Sequence, residues 1–149
     1  RDYYASRGLG DVYKRQIQYL VRTAGKGANL LLNVGPQANG EIPEAATARM
    51  KAIGEWLNTY GETIYGTTAG DIPEHSWGVT TRRGDKLYVH ILDLEDQALF
   101  IPLAGKKVKK AISFKDKSPV RFTKTKTGVT LELPQVPDET DYVVELTTD

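Results

Sequence analysis

Apolar residues recur at two different spacings along this chain, and the change from one to the other falls near residue 70. Ile17, Leu20, Val21 and Ala24 keep helical spacing, and Gly25 with Gly27 predicts where that helix stops. Residues Asn29–Val34 (NLLLNV) follow, with apolar side chains on consecutive positions. A strand buried on both faces reads this way, because neighbours lie above and below its sheet. Gly35-Pro36 ends the run and Asn39-Gly40 marks a turn. Pro43 suits the first turn of a helix, where a missing N–H is no loss, and Glu44 complements the helix dipole. Ala46, Met50, Ile53, Trp56 and Leu57 then form one face of that helix, and Gly61 is expected to stop it. Helix end, buried strand, loop and helix make one αβα step of a parallel fold, whose strand needs partners on both sides. Without them Leu30, Leu31, Leu32 and Val34 form an exposed, aggregation-prone run.

Gly66–Ser76 is rich in Gly, Pro and Thr and reads as a connection, with residues 68–76 as the linker. After it the spacing becomes two. Strands are predicted at Trp77–Thr81, Lys86–Asp93, Ala98–Pro102, Val108–Phe114, Val120–Lys124, Val129–Leu133 and Tyr142–Thr147. Leu87/Val89/Ile91 and Val129/Leu131/Leu133 alternate with polar residues. Short strands at even intervals predict a small antiparallel sandwich over residues 77–149.

Composition changes this picture little. The formal net charge of +1 gives no global field for nucleic acid, and the lysines at 106–110 and 115–126 read as a solvated β-face with its turns. No apolar run approaches the roughly 20 residues of a membrane span. With no cysteine there are no disulfides, thiolate metal sites or cysteine nucleophiles. His75 and His90 lack ligand-spaced neighbours, so no metal and no cofactor are expected. Asn29, Asn33, Asn39 and Asn58 all lack the Ser or Thr that N-glycosylation requires two positions on.

Residues 1–16 (RDYYASRGLGDVYKRQ) fit neither spacing, and Gly8 and Gly10 interrupt any helix through them. SRGLGDVYKRQ also resembles translated sequencing-adapter sequence. These residues are read as foreign or disordered, the alternative being a genuine polar loop or helix.

The stretch Gly25–Gly70 is similar to the closing segment of the barrel of α-L-fucosidases, glycoside hydrolase family 29. The resemblance rests on Asn29–Pro36, Asn39-Gly40, Ile42-Pro43, Gly54–Leu57 and Gly61–Thr67, in that order. A weaker likeness extends through the sandwich, in strand order and in the turn GKKVKKAISF. The resemblance implies an α+β fragment: the last βα unit of a (β/α)8-like barrel (residues 17–67), then the linker and the sandwich. It also implies a parent enzyme that removes α-linked L-fucose from oligosaccharides or glycoconjugates by a retaining mechanism. Placement would be periplasmic, secreted or lysosomal.

Retaining glycoside hydrolysis uses two carboxyl groups about 5–5.5 Å apart. In the family the Asp nucleophile and Glu acid/base lie upstream of the segment present here, so no catalytic residue is assigned. The substrate-binding candidates are Asn33, at the end of the predicted strand; Glu41, on the loop after it; and Trp77, an aromatic on the sandwich, with Tyr88 beside it in kind. Glu41 is the one nearest to where substrate would sit, and the others have weightier structural alternatives: a turn hydrogen bond for Asn33, and packing at the domain boundary for Trp77 and Tyr88. A rival reading makes the sandwich a carbohydrate-binding or purely structural module.

Overall fold

The computed structural model describes residues 10–94 and 96–149. The element order is α1 (Asp2–Gly25), α2 (Glu44–Tyr60), a 3-10 turn (Gly61–Thr63), then β1 (Thr68–Ala69), β2 (Gly78–Arg83), β3 (Lys86–Ile91), β4 (Ala98–Pro102), β5 (Val108–Ser113), β6 (Phe122–Lys124), β7 (Gly128–Glu132) and β8 (Tyr142–Thr148). All strand pairings are antiparallel. One sheet runs β1-β2-β3-β8-β5 and the other β4-β7-β6. The chain is α+β, and each predicted sandwich strand has its counterpart.

The larger sheet is buried on both faces. Toward the smaller sheet it turns Leu87, Val89, Ile91, Val144 and Leu146, which pack with Leu99, Ile101, Val129 and Leu131. Toward the helices it turns Val79 against Ile17 and Val21 of α1, and Tyr88 and Val143 against Tyr60 of α2. The result is helices on sheet on sheet. Alternation in β3 therefore marks only half of what is buried: Tyr88 is 1% exposed and His90 0%, although both occupy positions expected to face outward.

Two expectations need correction. Residues 10–16 are not structureless: α1 continues through them into the helix expected from Ile17. A glycine costs a helix about 1 kcal/mol relative to alanine. Gly10 faces open space, so nothing adds to that cost, and docking of Ile17 and Val21 offsets it. Residues 1–9, the rest of that stretch, lie outside the described residues.

The second correction concerns Asn29–Val34, which forms no strand. Residues 28–37 have no regular structure, with Leu31 84% exposed and Leu32 38% exposed. A strand exists only through its ladder, and no described strand lies alongside to supply one. As expected, α2 does end at Gly61, which caps it after Tyr60, but not through a left-handed turn. Its φ of −55° is helical, and the chain tightens into the 3-10 turn. What Gly61 provides is room, since a Cβ there would lie 2.9 Å from the Tyr65 ring.

The linker also takes part in the sheet, because Thr68 and Ala69 pair with Arg82 and Thr81 of β2. The lysines lie as expected. Lys109 and Lys110 are exposed beside buried Val108 and Ala111, and Lys117 sits 4.0 Å above the Phe114 ring.

Gly78 opens β2 at φ +152°, where a Cβ would lie 1.9 Å from the carbonyl oxygen of His90. Gly78→Ala should lower stability by about 2–4 kcal/mol, read as a lower urea midpoint. An unchanged midpoint would mean that β2 and β3 approach less closely than described.

Candidate functional site

Asn33 lies in the irregular stretch after α1 and is exposed at the mouth of a cleft of about 190 Å³. Gln16 of α1 and Pro43, Arg49 and Met50 at the start of α2 also line this cleft. The Gln16 Oε1 atom is buried there without a hydrogen-bond partner among the described residues. Glu41 is exposed, and its carboxylate accepts a 3.0 Å hydrogen bond from the Asn39 side chain within its own turn. Closure of that turn by Gln37 N–H to the Glu41 carbonyl (2.8 Å) explains why the loop holds this shape.

Trp77 is on the other side of the molecule's sheet architecture, half-buried against the core between the two sheets. Its ring stacks on His75 at 5.5 Å with 7° between planes. The tryptophan lines a shallow cleft of about 230 Å³ with Asp93, Leu94 and Asp96. Tyr88 offers no platform, since it is enclosed and edge-on to Phe114 at 5.8 Å. No described cleft is lined by two of the three candidates Asn33, Glu41 and Trp77.

Sequence spacing missed one buried polar cluster. Asp141 Oδ2 lies 2.6 Å from His90 Nδ1, and His90 Nε2 lies 2.9 Å from Thr81 Oγ1. Thr81 Oγ1 in turn donates to the Thr63 carbonyl at 2.7 Å. All four residues are buried. Acid, histidine and hydroxyl in a row resemble a nucleophilic triad. They cannot serve as one here: the hydroxyl proton is committed to a carbonyl, and no substrate reaches a fully enclosed oxygen. The cluster ties the 3-10 turn after α2 to β2, β3 and the lead-in to β8. Its one sequence signal is a histidine set between Val89 and Ile91 in a strand whose neighbours are apolar.

Carboxyl chemistry follows from partners. At Asp71, partial burial pushes the carboxyl up, but hydrogen bonds and charge from Arg82, with Lys106 nearby, outweigh it and hold it below the usual range. Hydrogen bonds from Lys26 and Arg22 hold the Glu74 carboxyl low. Burial pushes Asp141 up in spite of His90. A general acid in glycoside hydrolysis needs a raised carboxyl that substrate can touch. Among the described residues the raised carboxyl is unreachable, and the reachable ones with a shift are lowered. No group of three His, Cys, Asp or Glu among the described residues could hold a metal ion, and no described helix is long and apolar enough to cross a membrane.

Comparison with known proteins gives this architecture a context. Residues 9–62 match the α-L-fucosidase family, a match that begins ahead of Ile17. An α-L-fucosidase of Dictyostelium discoideum is 31% identical over 134 residues, covering 83% of this chain and 29% of that protein. Among solved structures, α-L-fucosidase isoenzyme 1 from Paenibacillus thiaminolyticus superposes with a TM-score of 0.81 at 32% identity, over 92% of this chain and 34% of that one. A family GH29 α-L-fucosidase from Bacteroides thetaiotaomicron, trapped as a covalent intermediate with 2-fluoro-fucosyl fluoride, gives 0.83 at 26% identity, over 92% and 32%. The relatives that share this architecture are glycoside hydrolases. Within that class, each of these matches is to an α-L-fucosidase, and the chain spans about a third of the length of the relatives it matches.

The lowered Asp71 carboxyl makes one pH dependence testable. A group whose folded value lies below its unfolded one stabilises the fold above about pH 4 and loses that effect as pH falls through the folded value. Asp71→Asn should therefore be less stable than the parent chain at pH 6, with the difference shrinking toward pH 2 in urea titrations. A difference that stays constant with pH would assign the loss to packing instead.

Proposed function

We propose that this chain forms the closing end of a retaining α-L-fucosidase whose parent enzyme removes terminal α-linked L-fucose from fucosylated oligosaccharides or glycoconjugates. The observation that carries the reading is the fold match over 92% of the chain to α-L-fucosidases about three times as long. In this reading Asn29–Val34 is the last strand of a (β/α)8-like barrel. It is irregular here because the strands that would flank it are not in this chain, and its exposed Leu31 and Leu32 are the apolar surface those strands would cover. Then α2 is the helix that closes the barrel, and residues 77–149 are a sandwich braced against it. Asn33 sits at the strand end that faces the active-site side of such barrels. The covalent intermediate trapped in the Bacteroides relative supports the retaining route for the parent. The Asp nucleophile and the Glu acid/base belong to barrel loops absent from these residues, so the chain alone should be inert. Placement follows from where fucosylated glycans are met: periplasmic, secreted or lysosomal.

A second reading, a stand-alone sandwich that binds carbohydrate or serves only as a brace, draws on the Trp77 cleft with Asp93 and Asp96. The closed Tyr88 face and the docked helices favour the brace.

Two measurements separate these readings. Incubated with an aryl α-L-fucoside, this chain should release no more phenol than buffer does; measurable turnover would overturn the assignment of catalysis to absent residues. The source DNA ahead of the Ile17 codon should continue in frame into a barrel carrying an Asp and Glu pair. A stop codon just before Arg1 would leave the stand-alone sandwich as the function to pursue.

A further inference from the structure

The buried cluster of Thr63, Thr81, His90 and Asp141 fixes its own proton count. A carbonyl has no proton to give, so the 2.7 Å contact between Thr81 Oγ1 and the Thr63 oxygen takes the single hydroxyl proton of Thr81. Toward His90, Thr81 can then only accept, so His90 Nε2 carries a proton. At the 2.6 Å contact between His90 Nδ1 and Asp141 Oδ2, two bare acceptors would repel, so one further proton lies between them. Whether it sits nearer nitrogen or oxygen, histidine and aspartate together hold two protons. At neutral pH the unfolded chain holds one on this pair, because histidine is neutral above about pH 6.5 and aspartate ionised above about pH 4.

We infer that this cluster is a proton-driven latch: closing the helices onto the sheet takes up one proton from solvent and seals it between His90 and Asp141. Among the described residues the surroundings offer no substitute. The other carboxylate oxygen, Asp141 Oδ1, is buried with no partner, so the sealed proton is what offsets the aspartate's desolvation. From α2, the Tyr60 hydroxyl donates to Glu139 rather than to the pair, and Lys115 also bonds Glu139. From α1, Gln18 donates to the carbonyls of Leu92 and Thr140, and Lys14 points to Asp138. From β2, Arg82 is turned to Asp71, and Arg83 to Glu62 and the Tyr65 carbonyl. None of these groups hydrogen-bonds to His90 or Asp141.

Linkage gives the sign. Above about pH 6.5 the native state holds one more proton than the unfolded state, so the folding equilibrium constant falls roughly tenfold per pH unit. Between about pH 4 and 6.5 the two states hold equal numbers on this pair, and its contribution is flat. Below about pH 4 the unfolded aspartate takes a proton that the native pair has no place for, and stability falls again. The latch is tightest in mildly acidic solution.

Asp141→Asn isolates the effect. The amide N–H donates to His90 Nδ1, preserving both hydrogen bonds of the ring without the extra proton. Relative to the parent chain, measured by urea unfolding from pH 5 to 9, the variant should lose the tenfold-per-unit fall above pH 6.5. It should instead lose stability on acidification below that point, as its unfolded histidine takes up a proton that the native ring cannot. Parallel profiles for the two chains would overturn the latch. If the variant fails to fold, the parent chain still decides: unfolding it with urea at about pH 8 in unbuffered solution should release close to one proton per molecule. Release near zero would sink the inference.

Discussion

Burial of the larger sheet on both faces is the constraint on which the remaining structure depends. A sheet that faces water can carry polar residues on its outer side at no cost, but one that carries helices cannot. Every outward position of β2, β3 and β8 under α1 and α2 has therefore to be apolar or polar with a partner. Val79, Tyr88, Leu92 and Val143 take the first course. Thr81, His90 and Asp141 take the second, and the partner at the end of their chain is the Thr63 backbone carbonyl, outside the sheet. The polar groups are thus the point at which helices and sheet are registered against each other. A slide of the 3-10 turn along the sheet would leave a buried donor without an acceptor, a loss larger than the net worth of the bond itself.

Legibility in the sequence followed the range of the interactions. Strand spans and the apolar stripe of α2 depend on neighbours a few residues away, and periodicity reports them directly. The second buried face of β3 depends on helices that come earlier in the chain. Alternation of Leu87, Val89 and Ile91 is the same whether Tyr88 and His90 meet water or α2. The stretch Asn29–Val34 shows the converse. Its consecutive leucines state that both faces are meant for burial, yet a strand is a property of its ladder, and composition alone cannot form one. The continuation of α1 through residues 10–16 was hidden for another reason: glycine lowers helix propensity, but docking a few residues further along decides whether the helix persists.

The site was less legible than the fold, and the cause is geometric. Asn33, Glu41 and Trp77 were singled out by residue type and by position relative to predicted elements, and neither says what a side chain faces. In the structure Glu41 is occupied by Asn39, and Trp77 gives one ring face to His75. His90 looked unremarkable because metal and catalytic histidines are sought by short spacings, whereas its carboxylate partner is 51 residues away. Strand register is what joins them. His90 pairs with Val143 across β3 and β8, which places Asp141 beside the ring just before β8 begins.

The structural relatives bear on which of these features a fucosidase fold retains. Superpositions that cover 92% of the chain at 32% and 26% identity span both helices and both sheets at once. The helices therefore keep their position on the sheet while roughly two-thirds of the side chains differ. Cores tolerate such turnover when volume and patterning are kept, because hydrophobic contact is non-directional and many packings satisfy it. Apolar packing alone would let two layers shift past one another as side chains are exchanged. Directional bonds between the layers resist that shift, and in this chain the bonds from Thr63 through to Asp141 cross the junction at its centre.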